Sequence, residues 1–306
     1  SSSRPHLAQA WGGLVVEGCN SRSVRDTAAY LDVISGSGLG EFHVLQGKPK
    51  QSFVAQLERP VEKLKIGFSS QHPMGLPVDE VCQKAVAHSA KLLSDLGHEV
   101  VEVPLPFQAA DLAQVFLKIV SAEAAADLRL WTKMMRRKPK RSEIEPNTWT
   151  LALLGRMFSA ADYAYAWMEA GAIARRLAEW HEEYDMLLTP TLANTPIKTG
   201  ALQNNAAENI LVNIINTFSL GSLLKASIKP FAEKAFGYIG YSPIANMTGQ
   251  PAISLPLYHD ETTNLPIGTM FSTKIGDDAL LLRLAKQLEE AQPWFNKIPF
   301  IAGVDA

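Results

Sequence analysis

Residues 63–103 carry the pattern that most limits the fold: a short strand, an amphipathic helix and a second short strand. Lys63–Ser69 and His98–Val103 are the predicted strands, and Pro77–Leu96 is the predicted helix, which Gly97 ends. Two strands joined through a helix pair in parallel, and this crossover is right-handed in nearly all proteins. The sequence therefore predicts a β-α-β unit and an α/β fold.

The stretch Ser242–Trp294 predicts an antiparallel addition to that sheet. It begins with a predicted loop, which leads to a strand at Ala252–Leu257 between two prolines. A polar turn at His259–Asn264 then leads to Leu265–Lys274, whose alternating pattern is typical of an antiparallel partner. An amphipathic helix closes the stretch. The expected architecture is a mixed β-sheet wrapped by helices.

Two long helices are predicted between these regions. Asp111–Arg137 is rich in alanine, and Ser159–Glu183 starts with a capping box in which Asp162 replaces the usual Glu or Gln. The connection between the helices is marked by prolines, and residues 37–60 are predicted as a loop. A further helix is expected within Ala206–Leu224.

The overall charge gives no reason to expect a nucleic acid or a membrane surface as a partner. The chain has 29 basic and 31 acidic residues, a formal net charge of −2. One basic run, Lys133–Arg141, is interrupted by Met and Pro, which is typical of a solvated helix end; an anion or partner site is the alternative. No apolar run reaches the roughly 18 residues of a membrane-spanning helix.

The cysteine content leads to an expectation about the cellular compartment, and the first residues lead to one about the position of this chain within its protein. Cys19 and Cys82 form no CxxC pair and are too few for a disulfide scaffold, so a reducing cytoplasm is the expected location. The chain opens on SSSRPHLAQAW, without a basic and then apolar leader. Such a start is typical of the middle of a protein.

No common catalytic motif is present in the sequence. There is no GxSxG, HExxH, P-loop or GxGxxG pattern, and the 7 histidines do not cluster. We therefore expect neither a metal nor a cofactor. From residue patterns alone, the sequence indicates only a soluble α/β domain.

Four segments resemble the amidase signature family in order and spacing. They are residues 11–36 (WGGLVVEGCNSRSVRDTAAYLDVISG), 184–202 (YDMLLTPTLANTPIKTGAL), 242–258 (SPIANMTGQPAISLPLY) and 265–290 (LPIGTMFSTKIGDDALLLRLAKQLEE). Together they extend the resemblance over nearly the whole chain. One departure is Gly18-Cys19, where the family usually has Gly-Pro, so the detail of that loop is not carried over.

The resemblance implies a large mixed sheet wrapped by helices and amide hydrolysis by a Ser-cisSer-Lys triad, with oxyanion donors from a glycine-rich loop. This sequence has no GGSSGG-like run and no matching lysine. The family's triad precedes the matched segments. The resemblance therefore implies that residues 1–306 form a single incomplete domain, the C-terminal portion of an amidase, with no catalytic residue of its own and no activity alone.

Seven residues are candidates for the substrate pocket by their position. Ser121 and Glu123 interrupt an apolar helical turn, and the aromatic, glycine-rich segment before Ser242 suits a pocket lip. The full candidate set is Ser121, Glu123, Thr191, Phe236, Tyr238, Tyr241 and Asn246. The expected partners are a small-molecule amide and either the missing N-terminal part or another copy of the chain.

Two other functions are compatible with the sequence. One is the A-type subunit of a glutamyl-tRNA amidotransferase, from the same family, which feeds ammonia to a partner enzyme acting on charged tRNA. The other is a non-catalytic interaction module. The aromatic lip favours an apolar amide over glutamine, which would require Arg and Asp in the pocket. Aryl, aliphatic and cyclic lactam-oligomer amides all remain open, and 6-aminohexanoate-cyclic-dimer hydrolases are among the similar members.

Overall fold

A computed structural model describes residues 10–36, 51–107, 109–226 and 236–297. The described residues form one sheet of five strands in the order β2-β1-β3-β5-β4. The strands are β1 (Lys65–Phe68), β2 (Glu99–Glu102), β3 (Met186–Pro190), β4 (Ala252–His259) and β5 (Pro266–Thr273). β1 pairs in parallel with β2 and β3, whereas β5 is antiparallel to β3 and β4. The predicted β-α-β unit, the hairpin and the mixed α/β class are confirmed.

The helices of the described residues flank this sheet. They are α1 (Val24–Ile34), α2 (Phe53–Gln56), α3 (Glu80–Asp95), α4 (Ala109–Met135), α5 (Pro146–Gly155), α6 (Ala160–Trp180), α7 (Ala206–Phe218), α8 (Gly221–Ala226), α9 (Ser242–Thr248) and α10 (Asp278–Ala291). The predicted capping box of α6 is confirmed. The backbone N–H of Ser159 donates to the Asp162 carboxylate at 2.8 Å, and the Asp162 N–H donates to the Ser159 hydroxyl at 3.1 Å.

Three helices lie where the sequence predicted loops or connections, so those predictions were wrong. α5 begins at Pro146, and α9 has Pro243 in its first turn. Proline suits the first helical turn because its fixed φ is helical and its missing N–H has no partner there. Short α2 is capped by Ser52 within the predicted loop 37–60, whose residues 37–50 lie outside the described part.

Strand β4 also runs further than predicted, through Pro256 to His259. Its register with β5 shifts between Leu255 and Tyr258. A proline cannot donate a ladder hydrogen bond, so in sheets it occurs at bulges and on edge strands. β4 is the last strand in the sheet order, and its register shift is a bulge around Pro256. These two features allow the strand to continue through the proline.

Helices cover both faces of the sheet. Successive residues of a strand point to opposite faces, and Leu187 and Leu188 of β3 accordingly lie in different hydrophobic clusters. Leu188 packs with side chains of α1, α3 and α10. Leu187 packs with side chains of α4, α6 and α9. Helix α6 approaches closely at Gly67, where a Cβ would lie 2.6 Å from the Trp180 ring.

Candidate functional site

The loops after the parallel strands β1 and β3 leave the sheet at the same end. β1 leads to Gln71 and His72, and β3 leads to Thr191. In open α/β sheets, ligands bind outside the carboxyl ends of the strands. The candidate residues belong to this end of the sheet, to the segment before α9, and to the helices α4 and α9.

Glu123 meets a tyrosine and a tryptophan around the backbone of Gly12. The Tyr163 hydroxyl donates to the Glu123 Oε1 at 2.5 Å. A Cβ on Gly12 would lie 2.7 Å from the Trp167 ring, 3.0 Å from the Tyr163 hydroxyl and 3.4 Å from Glu123 Oε1. Gly12 has φ +62°, and the preceding Trp11 has φ 50°. The left-handed backbone and the absent side chain allow this turn to lie against all three groups.

The Tyr163–Glu123 pair is a charge-assisted hydrogen bond. Burial, followed by the hydrogen bond to Glu123, raises the pKa of the Tyr163 phenol. The phenol is therefore protonated at neutral pH and acts as the donor. The short oxygen–oxygen distance is typical of a hydroxyl bound to a carboxylate.

Asn246 holds the same part of the chain from α9. Its Nδ2 donates to the backbone carbonyl of Leu14 at 2.7 Å, and the Leu14 side chain is buried. We call residues 10–14 the N-terminal turn. The structure thus brings two of the seven candidates, Glu123 and Asn246, to this turn.

Ser121 lies where α4 packs against α5. Its side chain is fully buried, and its hydroxyl donates to the Lys118 carbonyl in its own helix at 3.2 Å. A Cβ on Gly155 would lie only 1.9 Å from the Ser121 carbonyl oxygen. Ser121 is two residues from Glu123 and therefore lies on another side of α4. The structure places it in a contact between helices, apart from the group around Gly12.

Thr191 belongs to a separate hydroxyl pair on the sheet. Its Oγ1 lies 2.7 Å from the Oγ of Ser254 on β4. The two hydroxyls flank Gly268, where a Cβ would lie 2.6 Å from the Ser254 oxygen and 2.9 Å from the Thr191 oxygen. Among the hydrogen bonds of the described residues, none joins a lysine Nζ to a serine hydroxyl, and the hydroxyl partner of Ser254 is Thr191, so no lysine there is placed as a base for Ser254.

The three aromatic candidates occupy the segment 236–241, at the proposed pocket lip. Phe236 is buried and packs edge-to-face on Phe116, with ring centroids 5.2 Å apart. Tyr241 is also buried, and its hydroxyl donates to the Gln71 carbonyl at 3.1 Å. Burial raises the pKa of the Tyr241 phenol. Tyr238 is half-buried, which leaves it the most accessible of the three rings.

His72 connects the segment 236–241 to the loop after β1 through hydrogen bonds. Its Nδ1 accepts the Met74 N–H at 3.0 Å, so its Nε2 carries the hydrogen and donates to the Gly237 carbonyl at 3.3 Å. The ring also meets Tyr241 edge-on, at 5.8 Å between centroids. A Cβ on Gly240 would lie 2.8 Å from His72 Nε2. The glycine at this position therefore permits the close approach.

Tyr163, Trp167 and His72 were not among the predicted pocket residues; the sequence favours packing for Tyr163 and Trp167, with a stacking site as the alternative. Tyr163 and Trp167 are four residues apart and so share one face of α6. This spacing could have predicted that both contact the same neighbouring helix. His72 comes after a strand in a loop without periodicity, and no local pattern indicates its partners. Its role depends on Gly237, which is distant in sequence.

The described residues offer no grouped metal ligands and no membrane span. Across residues 10–36, 51–107, 109–226 and 236–297, no three His, Cys, Asp or Glu side chains are grouped as metal ligands. No helix within these same ranges is both long enough and apolar enough to cross a membrane. Cys19 is exposed with its sulfur 3.8 Å from the Thr27 hydroxyl, and Cys82 is buried.

Comparison with protein families gives one match over most of the chain. The family model described as Amidase matches residues 2–282. The putative amidase AmiC of Mycobacterium leprae is 30% identical over 92% of this chain and 54% of its own length. The 6-aminohexanoate-cyclic-dimer hydrolase of Paenarthrobacter ureafaciens is 26% identical over 94% of this chain and 56% of its length. The chain therefore spans about half the length of the curated relatives it matches.

Solved structures show the same fold. A 6-aminohexanoate cyclic dimer hydrolase complexed with substrate superposes with a TM-score of 0.78 at 24% identity, over 90% of this chain and 54% of that one. A bacterial aryl acylamidase of the amidase signature family gives a TM-score of 0.69 at 19% identity, over 90% of this chain and 52% of that one. At these identities, the structural likeness establishes the fold alone.

Proposed function

The chain belongs to the amidase family, and from this membership we propose that it forms the substrate-facing walls of an amide hydrolase. The observation that carries the proposal is the family match over residues 2–282. The reaction is hydrolysis of a carboxylic amide C–N bond: a serine attacks the carbonyl, the amine leaves with a proton, and water cleaves the acyl-enzyme. The single domain formed by this chain is the C-terminal portion of that enzyme.

We place the Ser-cisSer-Lys triad N-terminal to the matched segments. A lysine that activates a serine must be neutral, whereas Lys65 and Lys274 are held charged. Lys65 lies 2.8 Å from Glu183, and Lys274 lies 2.8 Å from Glu182. Hydrogen bonds to these carboxylates raise the pKa of both lysines. A lysine in such a pair is a poor proton acceptor at neutral pH.

The pocket walls in this proposal are the groups around the N-terminal turn and the segment 236–241. Glu123 and Asn246 fix the turn, and the aromatic rings of the segment supply apolar contact area. Tyr238 is the ring with room to meet a substrate, because Phe236 and Tyr241 are buried in packing contacts. An amide with an apolar body fits such a wall better than glutamine does.

The test is an assay on two forms of the protein with aryl, aliphatic and cyclic lactam-oligomer amides. The chain of 306 residues is expected to hydrolyse none of them. The form extended by the sequence encoded upstream is expected to hydrolyse at least one, and that upstream sequence should contain a lysine and then a Gly/Ser-rich run. Hydrolysis by the shorter chain that Ser254→Ala or Cys19→Ala abolishes would overturn the placement of the triad.

The wall itself is tested in the active, extended form. Glu123→Gln is expected to change KM, because it weakens the acceptor of the Tyr163 hydroxyl, which lies against Gly12 of the N-terminal turn. Glu179→Gln is the matched control on exposed α6 surface and should leave KM unchanged. Equal effects of the two variants would contradict the role of Glu123.

A further inference from the structure

Helix α7 presents an apolar face to solvent. Ile210, Leu211, Ile214 and Phe218 lie on one side of the helix, and between 44% and 68% of each residue is exposed. The opposite side is buried against α5: the Thr150 hydroxyl donates to Asn216 Oδ1 at 3.0 Å. Packing within the described chain therefore does not account for the apolar side. We call these four residues the apolar face of α7.

A concentrated positive charge borders this face. Residues 133–141 contain six basic residues and no acidic one, in contrast with the chain's net charge of −2. Arg141, at the end of this basic run, donates from Nη1 to the Thr217 hydroxyl and to the Asn213 carbonyl on α7. Thr217 precedes Phe218, so the basic run reaches the flank of the apolar face.

Exposed apolar side chains also accompany the basic run at its other end. Trp131 and Met134 on the last turns of α4 are each more than half exposed. Within the run, Lys133, Arg136, Lys138 and Lys140 are exposed as well. Arg137 is different, because the Glu143 carboxylate accepts hydrogen bonds from both of its terminal nitrogens, at 2.8 and 2.9 Å.

We propose that the apolar face of α7 and the basic run form a docking surface for an anionic lipid bilayer. The helix lies in the plane of the interface, its apolar face enters the boundary between headgroups and acyl chains, and the basic run binds the lipid phosphates. Apolar side chains rimmed by lysine and arginine are the chemistry that such an interface selects. A purely apolar protein partner would leave the adjacent cations without counter-charges.

This surface differs from a membrane-spanning segment. An interfacial helix buries only one side, so its length need not match the thickness of the bilayer. The proposal concerns where the protein is held and is independent of which amide is cleaved. It also revises the expectation from net charge, since the local charge of the basic run is hidden in the average over the chain.

The experiment is co-sedimentation of the full 306-residue chain with vesicles of phosphatidylcholine alone or with added phosphatidylserine. Binding is expected to the mixed vesicles at low salt and to weaken as salt screens the charges. Ile214→Ser with Phe218→Ser should lower the partition coefficient at least about tenfold, since the variant loses two apolar side chains that would be buried in the bilayer. Val33→Ser is the matched apolar control, because Val33 on α1 is 83% exposed.

Charge is tested separately from apolarity. Lys138→Glu with Lys140→Glu should reduce binding to the anionic vesicles, whereas Lys63→Glu, at an exposed lysine outside the basic run, should not. Circular dichroism checks that each variant is folded. The proposal is overturned if the chain ignores anionic vesicles, or if the Ile214/Phe218 variant binds like the Val33 control. It is equally overturned if the apolar face instead forms a concentration-dependent dimer that shows no vesicle binding.

Discussion

Tyr163 and Glu123 are 40 residues apart in the chain, yet their side-chain oxygens lie 2.5 Å from each other across α4 and α6. The pair lies against the backbone of Gly12. Because Gly12 has no side chain, the Tyr163 hydroxyl and the Trp167 ring can fill the space beside it. A single charge-assisted hydrogen bond thus joins α4 and α6 beside the N-terminal turn.

Removing the Tyr163 hydroxyl should destabilise the protein. Tyr163→Phe leaves the half-buried Glu123 carboxylate without its donor, and we expect a loss of about 1–2 kcal/mol in the free energy of unfolding. Urea denaturation measures this loss. Tyr165→Phe is the control: Tyr165 is 57% exposed on the same helix, so its substitution should change stability by less than about 0.5 kcal/mol. Equal values for the two variants would contradict the proposed strength of the bond.

Two helical glycines should respond to alanine with opposite signs. At Gly155 a Cβ would lie 1.9 Å from the Ser121 carbonyl oxygen, so Gly155→Ala must push α4 and α5 apart and should cost about 3 kcal/mol. At Gly171 the nearest atom is the flexible Arg175 guanidinium at 3.9 Å, and Gly171→Ala should stabilise by about 0.5–1 kcal/mol. Thermal unfolding of both variants checks this. A stable Gly155→Ala protein would show that the helices can separate at little cost.

Mild acid should loosen the loop that His72 holds. Burial lowers the pKa of His72, so the unfolded chain takes up a proton on this histidine before the folded chain does. Stability is therefore full above the unfolded pKa of about 6.5 and falls as pH decreases below it, by at most about 1.4 kcal/mol per pH unit for one histidine. The folded ring resists protonation because it is buried, which disfavours the charged form; protonation of Nδ1 would also break the hydrogen bond from the Met74 N–H.

The measurement is the free energy of unfolding between about pH 7.5 and about pH 5 for the wild type and for His72→Gln, a range that spans the ordinary histidine pKa. The variant is expected to be less stable at the upper end of this range and to lose less stability on acidification. Tyr241, the ring that faces His72, has a raised pKa and stays neutral throughout. Identical slopes for the two proteins would show that His72 does not titrate as proposed.

The two cysteines should differ in reactivity. Cys82 is buried, and burial together with the nearby Asp79 raises its pKa to about 11. Cys19 is exposed. A thiol reagent at about pH 8 should therefore modify one sulfur rapidly and the second only in denaturant, since the thiolate is the reactive form. Cys19→Ser should remove the rapid phase, and a rapid phase that persists in this variant would assign exposure to Cys82.

Local sequence patterns were sufficient for most elements of the sheet. The strands of the β-α-β unit and the hairpin were predicted because alternation and helical periodicity depend on neighbours in the chain. The same patterns failed at α5 and α9, where a connection or a loop was predicted and a proline instead lies in the first turn of a helix. A proline in a helix and a proline in a loop are distinguished only by the periodicity of the residues after them, and both helices are too short to show it clearly.

The residues of the candidate site were likewise predicted only in part. Glu123 and Asn246 were singled out from the sequence as polar residues in apolar or family-like surroundings, and both contact the N-terminal turn. Their partners could not be predicted, because Tyr163 and Leu14 are distant in sequence from them. Whether these residues touch a substrate remains a prediction.

The sequence by itself determined the fold class, the family and the placement of strands, since these depend on local periodicity and on ordered motifs. Only the tertiary structure decided which side chains meet: Tyr163 with Glu123, His72 with Gly237, and Thr191 with Ser254. It also decided that the apolar face of α7 is exposed while Ser121 is buried in a helix contact. The reason is physical: hydrogen bonds and close packing join residues at distances that only the folded chain brings within a few ångströms, whereas periodicity specifies each element separately.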